Sequence, residues 1–142
     1  PSPFDCWLIT RGIQTLYLRV MAQTKSAHQL AEFLEEHPKI GKVSYPGLAS
    51  HPQHELAKKQ MTNGYGAMLS VMIDGDDQEA IAVSNKLVLF ATATSLGGVE
   101  SLVEHRYSVE GPDSQTPVNL LRISVGLENI DDLIHDWGQA LQ

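Results

Sequence analysis

An arginine in the middle of an apolar run is the residue of this sequence best placed to do chemistry. Arg122 lies within residues 120–126, a stretch with the composition of a β-strand. An unpaired buried guanidinium is costly, so an anion is expected at Arg122. From the residues alone, that anion is either a ligand or one of the domain's own carboxylates, with Glu100 and Glu104 as the internal candidates.

Residues 94–101 are the second segment of interest, because they contain the pair Gly97 and Gly98. Adjacent glycines permit close backbone approach or a positive φ. Ser95 and this glycine backbone are therefore expected to neighbour Arg122. Two glycines without a following phosphate-binding helix signature are only a weak indication of a nucleotide site.

Other groups of chemically active side chains are incomplete. His51 and His54 lack the further ligands of a zinc site, so capping or surface roles are favoured. Asp74, Asp76 and Asp77 lack the later ligands of a calcium loop and instead predict a solvated turn that caps the next helix. No motif places a serine or cysteine as a hydrolytic nucleophile. The residues therefore predict an anion clamp and no metal site.

Composition excludes several classes of partner. The chain has 142 residues with a net charge of −7, which disfavours nucleic acid and anionic membranes. No signal peptide opens the sequence, and no apolar run approaches the roughly 18 residues of a membrane span. Cys6 is the single cysteine and is expected to be a small buried thiol. These features favour a reducing, cytoplasmic location.

The elements that position Arg122 follow from periodicity and turn signals. The first half of the chain is predicted to contain an extended lead-in at 1–5, a long amphipathic helix from Ile13 to Leu34 closed by His37 and Pro38, and a strand within 39–46. A short helix at 50–61 follows, with Ser50 as cap and Pro52 in its first turn. The second half is predicted to contain a strand at 67–73, a helix at 79–87, a strand at 88–93, an exposed loop at 104–119, a strand at 120–125, and a C-terminal helix capped by Asn129.

This order predicts an α+β domain, with a small, mainly antiparallel sheet of about four strands covered on one face by helices. Residues 1–142 are expected to form one domain, in which 1–37 are the lead-in and long connecting helix and 38–142 are the body. The first helix is long for such a domain, so part of its apolar face is expected to pack on something outside the chain.

Four motifs stand in order along the chain. They are Asp5-Cys6-Trp7-Leu8 with residues 10–16, Tyr45-Pro46-Gly47-Leu48 with residues 50–54, Ser95-Leu96-Gly97-Gly98 with residues 99–101, and Leu121-Arg122-Ile123-Ser124 with residues 125–128. Together they resemble the C-terminal part of the Cys/Met-metabolism enzymes that depend on pyridoxal phosphate (PLP), such as cystathionine γ-synthase, cystathionine γ-lyase, cystathionine β-lyase and methionine γ-lyase. The resemblance extends over essentially the whole chain.

The resemblance implies roles for individual residues. The arginine matching Arg122 binds the α-carboxylate of the substrate in a bidentate fork, and the serine matching Ser95 lies beside the cofactor-linked lysine. Thr94 and Leu96 flank Ser95 and are assigned with it to the substrate-binding wall. Thr94 stands where many relatives have Glu, and residues 105–117 lack the usual Met-Thr-His segment. The resemblance therefore does not fix which sulfur amino acid is handled.

The resemblance also implies which parts of the active site lie outside this chain. The family's Schiff-base lysine and its cofactor-binding residues belong to a large domain upstream, and none of the six lysines of this chain has a matching context. PLP is thus expected in the intact, homo-oligomeric enzyme, and this chain alone is expected to bind no cofactor and to be inactive. The alternative is a non-catalytic interaction domain or degenerate homologue that self-associates through an exposed apolar face of the first helix.

Overall fold

The computed structural model describes all residues 1–142, and a five-stranded sheet forms the middle of the domain. The strands are β1 (Ile40–Ser44), β2 (Met68–Ile73), β3 (Ala91–Thr92), β4 (Leu102–His105) and β5 (Leu120–Ser124). Their order is β1-β2-β5-β4-β3, and every pairing is antiparallel except that of β3 with β4. The predicted α+β class is confirmed, with five strands instead of about four.

Six helices accompany the sheet, and three of them cover one of its faces. The helices are α1 (Pro3–Gln14), α2 (Leu16–Glu35), α3 (His54–Gln60), α4 (Asp77–Lys86), α5 (Arg106–Glu110) and α6 (Ile130–Ala140). Helices α2, α4 and α6 contact one another or the strands, and Trp137 of α6 is fully buried in the core. None of the helices is long and apolar enough to cross a membrane.

Alternation along the central strands separates the core face from a second face. Leu121 and Ile123 are fully buried, whereas Leu120 and Arg122, which alternate with them, remain partly exposed. The same alternation occurs along β2. Because successive side chains of a strand point to opposite faces, Arg122 lies on the face away from the core helices. We call this the open face of the sheet.

The long first helix predicted from periodicity is two helices, and there is no extended lead-in. Ser2 caps α1 in a capping box with Asp5, so the helix already begins at Pro3. At Thr15 the backbone leaves the helical region (φ −111°, ψ 5°). Arg19 donates hydrogen bonds to the Gly12 carbonyl and to the Thr15 hydroxyl, which satisfies polar groups at this break. A β-branched residue soon after a glycine is a weak point in a helix.

The environment of α1 overturns the prediction for Cys6. No residue of α1 is buried, and the Cys6 thiol is exposed. The apolar side chains around it are exposed as well, including Trp7 at 53% and Ile13 at 62%. The apolar pattern that predicted a buried thiol thus belongs to a surface, because among the helices and strands α1 packs mainly on α2.

Two further boundaries differ from the predictions. Residues 104–119 are not one exposed loop, because β4 extends to His105 and α5 follows it directly. Helix α3 begins at His54 after Gln53, not near Ser50, whose hydroxyl instead bonds Glu35 at the end of α2. The predicted capping turn is confirmed, with Asp76 accepting two backbone N–H bonds at the start of α4. The predicted cap Asn129 is also confirmed and accepts one from Asp131.

A buried carboxylate connects α6 to the chain leading into β3. Asp136 is only 5% exposed and accepts hydrogen bonds from the backbone N–H groups of Val88 and Leu89 at 2.9–3.1 Å. These groups lie outside any strand, so the carboxylate replaces the ladder bonds that a longer β3 would supply. The strand predicted at 88–93 is accordingly shortened to two residues.

We expect Asp136→Ala to lower the free energy of unfolding by about 2–3 kcal/mol, because two inward N–H groups lose a charged acceptor. Chemical denaturation measures the change. Asp132→Ala is the matched control, because Asp132 is exposed on the same helix and makes no such bond. Equal stabilities of the two variants would contradict the role of Asp136.

Tyr45 supplies a second test of the core. Its ring is fully buried, and its hydroxyl donates to the carbonyl of Gly66 at 2.9 Å. Burial, with a smaller effect of Tyr65, raises the pKa of Tyr45 from 10.0 to about 12. The folded state holds this proton more tightly, so the resulting stability is complete below about pH 10 and is lost as the pH rises through about 12.

We expect the phenolate absorbance of the wild type minus that of Tyr45→Phe to titrate with a midpoint near 12. The subtraction isolates this one ring from the other tyrosines. A difference curve centred near 10 would show that the hydroxyl is solvated and would contradict the packing around it.

Candidate active-site wall

Arg122 lies in the middle of β5, where strand register places an acidic partner beside it. Ser70 of β2 and Glu104 of β4 are its cross-strand neighbours. Directly opposed side chains of antiparallel strands lie close enough to interact. The Arg122 Nε is 3.2 Å from Glu104 Oε2, and the arginine side chain is 23% exposed. Of the two internal candidates, Glu104 therefore pairs with Arg122, whereas Glu100 is exposed.

The segment 94–98 runs over the open face and contacts the arginine through its backbone. Arg122 Nη2 donates to the carbonyl of Thr94 at 2.5 Å and to that of Ser95 at 3.2 Å. Gly97 has a positive φ of 74°, a backbone conformation that residues with a side chain rarely adopt. Its N–H donates to the Ser124 hydroxyl at 3.2 Å. The glycine turn thus brings the Thr94 and Ser95 carbonyls to β5.

The guanidinium retains unused donors. Its contacts involve Nε and Nη2, while Nη1 has no hydrogen-bond partner within the chain. A guanidinium carries five N–H donors in one plane, two of them on Nη1. Arg122 is therefore restrained on one edge and open on another, an arrangement that can receive an additional acceptor.

Buried polar contacts fix the turn beside Arg122 from behind. Glu128 accepts from the backbone N–H and the hydroxyl of Ser101, both at 2.7 Å, and that hydroxyl accepts from the N–H of Gly126 at 2.9 Å. From α2, the Gln23 amide donates to the carbonyls of Gly98 at 2.6 Å and Val125 at 3.1 Å. Both ends of the turn are thereby connected to the residues that follow β5.

An ionic network continues from Glu104 into α5. Arg106 Nη1 lies 3.2 Å from Glu104 Oε2, and its Nε lies 2.6 Å from Glu110 Oε1. Hydrogen bonds from Ser114 and Thr116, then the contact with Arg106, lower the pKa of Glu110 to about 2. Glu104 and then Glu110 raise the pKa of Arg106. Arg106 and Glu110 are thus both charged across the neutral pH range.

The structure brings some of the predicted site residues together. Thr94 and Ser95 reach Arg122 through their carbonyls, whereas their side chains and that of Leu96 are exposed. Sequence reasoning missed the contributions of Ser101 and Glu128. Both lie inside the recognised motifs, but the pairing between them depends on the approach of two segments distant in sequence.

Groups that could hold a metal or a cofactor are not assembled at this wall. No cluster of three or more His, Cys, Asp or Glu side chains could hold a metal ion. The lysines lie in α2, at or before β1, in α3 and in α4, and none lies in β4, β5 or residues 94–101. His54 instead contacts the carbonyl of Pro46 at 2.8 Å, and the N–H of Gln53 bonds the ring of His51.

The sequence of this chain is similar to those of one family of enzymes. The sequence profile of the Cys/Met metabolism PLP-dependent enzymes matches residues 1–142. The chain is 45% identical over 149 residues to a cystathionine gamma-lyase of Dictyostelium discoideum and 45% identical over 146 residues to a cystathionine gamma-synthase of Mycobacterium bovis. A cystathionine beta-lyase of Coxiella burnetii is also 45% identical, over 148 residues.

Each alignment includes 99% of this chain but only 37–38% of the relative, so the chain spans little more than a third of these curated proteins. Among solved structures, a Campylobacter jejuni protein assigned as an O-acetylhomoserine (thiol)-lyase, which contains a pyridoxyl-lysine phosphate, matches with a TM-score of 0.89 and 36% identity. That match includes 99% of this chain and 32% of the other.

We expect Glu128→Gln to loosen the turn beside Arg122, because an amide cannot accept both bonds from Ser101 with the strength of a carboxylate. Loss of a charge-assisted bond of about 1.4 kcal/mol corresponds to a roughly tenfold faster amide exchange at Ser101 and Gly126. Hydrogen exchange read by NMR measures this rate. The control is Glu100→Gln, an identical change at an exposed side chain. Unaltered exchange in Glu128→Gln would contradict the role assigned to this carboxylate.

Proposed function

The chain belongs to the family of Cys/Met metabolism PLP-dependent enzymes, and from that membership we propose that it is the C-terminal, substrate-carboxylate-binding part of a trans-sulfuration enzyme. The observation that carries this proposal is the state of Arg122. Its guanidinium is partly buried, restrained at Nε and Nη2, and unoccupied at Nη1.

The α-carboxylate of an amino acid is the ligand that best fits this arrangement. A planar guanidinium binds carboxylates through paired, parallel hydrogen bonds, and a rigid strand limits the freedom lost on binding. Nη1 supplies two donors. Nη2 can supply the second bond of a bidentate pair when its longer contact, with the Ser95 carbonyl, is replaced by one with the carboxylate. Thr94, Ser95 and Leu96, exposed beside it, form the rest of the proposed substrate wall.

Ser95 has a further role in the proposal. Its hydroxyl is exposed and has no hydrogen-bond partner within the chain, although its carbonyl is held by Arg122. A hydroxyl on an anchored backbone can donate to or accept from a substrate group without reorganising its surroundings. We assign it to orienting the substrate or the lysine that the rest of the enzyme would supply.

In this proposal the cofactor is held outside this chain. A PLP site requires a lysine, and none lies in β4, β5 or residues 94–101, around Arg122. The proposal therefore gives this chain the substrate side of the active site and assigns PLP to the remaining two thirds of a full-length enzyme. On this basis the chain alone is inactive.

The reaction class follows from the same proposal. Bound PLP supplies the electron sink for β- or γ-elimination or γ-replacement on sulfur amino acids such as cystathionine. The part of this chain is to hold the α-carboxylate, which fixes the Cα–H bond relative to the base. Since relatives named as lyases and synthases are equally similar to the chain, the proposal does not choose among these outcomes.

The exposed apolar surface of α1 favours a second contribution, to assembly. Phe4, Trp7 and Leu8 are 64%, 53% and 48% exposed, more apolar surface than one short helix normally leaves in water. We propose that α1 packs on the rest of the intact, homo-oligomeric enzyme. A cytoplasmic location is part of the proposal, because the exposed Cys6 thiol suits a reducing compartment.

Replacement of Arg122 tests the carboxylate role in the full-length, PLP-loaded enzyme. Arg122→Lys retains the charge but loses the planar fork, so we expect the KM for cystathionine to rise by about 10- to 100-fold, as loss of a charged bidentate contact costs about 1.5–3 kcal/mol. Steady-state kinetics measure this change.

The control is Lys59→Gln, which removes an exposed cation of α3 and leaves Arg122 and its contacts unchanged. Its KM should stay within about twofold of the wild type, since the substrate contact is intact. An unchanged KM in Arg122→Lys would refute the carboxylate role.

A further inference from the structure

Glu104 is the most constrained carboxylate near the proposed site. Its side chain is only 3% exposed, yet it lies between two arginines. Oε2 is 3.2 Å from both Arg122 Nε and Arg106 Nη1, and Oε1 is 3.4 Å from the same Arg106 nitrogen. A buried charge persists only when it is paired and hydrogen-bonded, and the two arginines satisfy this condition.

The two arginines do not hold Glu104 in the same way. Arg106 is anchored at its other end by Glu110, which in turn accepts from the hydroxyls of Ser114 and Thr116. Glu104 is therefore held from α5 as well as by Arg122. Glu104 can act as a fixed point against which the guanidinium of Arg122 is oriented.

The consequence for Arg122 is geometric. Glu104 occupies the Nε edge, and the carbonyls of Thr94 and Ser95 occupy Nη2. Because the guanidinium is planar, fixing two of its nitrogens fixes the direction of the third. Without Glu104, rotation of the side chain would be limited only by the two carbonyl contacts.

We propose that Glu104 is a positioning residue for substrate binding: it holds Arg122 so that the Nη1 edge meets the substrate carboxylate, and Arg106 holds Glu104 in place. This inference rests on the proposed role of Arg122 and extends it to a residue that does not touch the substrate.

Charge alone predicts the opposite effect of removing Glu104. A carboxylate 3.2 Å from Arg122 lowers the positive potential that a substrate anion meets, so electrostatics without positioning predicts tighter binding in Glu104→Gln. Positioning predicts weaker binding, because the freed guanidinium must be ordered by the substrate. The sign of the change therefore distinguishes the two effects.

The test uses the full-length, PLP-loaded enzyme with cystathionine as substrate. For Glu104→Gln we expect a KM about tenfold higher, equivalent to 1.4 kcal/mol. Combined with Arg122→Lys, its effect should be strongly non-additive, because both changes disturb one contact. The control is Glu100→Gln, which removes the same charge from an exposed position near the wall and should leave KM unchanged.

A second measurement separates positioning from loss of structure. The competitive inhibition constants of an amino-acid substrate analogue and of the matching amine without its α-carboxylate are compared. Glu104→Gln should weaken only the carboxylate-bearing compound, by about tenfold. A merely structural role would weaken both compounds equally, and that result would overturn the proposal.

The outcomes also distinguish this inference from the proposed function. A lower or unchanged KM in Glu104→Gln, with a raised KM in Arg122→Lys, overturns the positioning role and leaves the carboxylate clamp intact. An unchanged KM in Arg122→Lys overturns the clamp, and the positioning role falls with it.

Discussion

The pairing of Arg122 with Glu104 across β5 and β4 is the constraint on which the site depends. A partly buried guanidinium must be neutralised to be tolerated in a folded domain, but it must not be saturated if it is to bind a ligand. One carboxylate at Nε and two backbone carbonyls at Nη2 satisfy the first demand. The unoccupied Nη1 meets the second. The contacts around Arg122 therefore leave its guanidinium both neutralised and able to bind a ligand.

The surrounding fold holds that balance in place. The core face of the sheet is covered by α2, α4 and α6, which leaves the opposite face of β5 for Arg122. The register of β4 against β5 puts Glu104 opposite the arginine, and contacts of Gln23 and Glu128 hold the 94–101 segment over it. A slip of one residue in either strand would move Arg122 or Glu104 to the core face. Packing and site are therefore set by the same strand pairing.

Periodicity was sufficient for the elements with long, regular patterns, such as α6, β2 and β5, and chemistry was sufficient to predict an anion at Arg122. Periodicity was not sufficient at Thr15, because a single non-helical residue barely changes the apolar repeat that runs from Ile13 to Leu34. It also missed β4, whose four residues include Glu104 and His105. Those side chains are buried only because partners distant in sequence or in α5 satisfy them, and local pattern does not contain that information.

Arg122 is proposed to receive the α-carboxylate of an amino-acid substrate. A crystal structure of the full-length, PLP-loaded enzyme with a bound, unreactive substrate analogue tests it most directly. We expect carboxylate oxygens about 2.7–2.9 Å from the Arg122 guanidinium, with Nη1 as a donor and Glu104 still at Nε. A carboxylate bound by other residues, with Arg122 contacting only Glu104, Thr94 and Ser95, would contradict it.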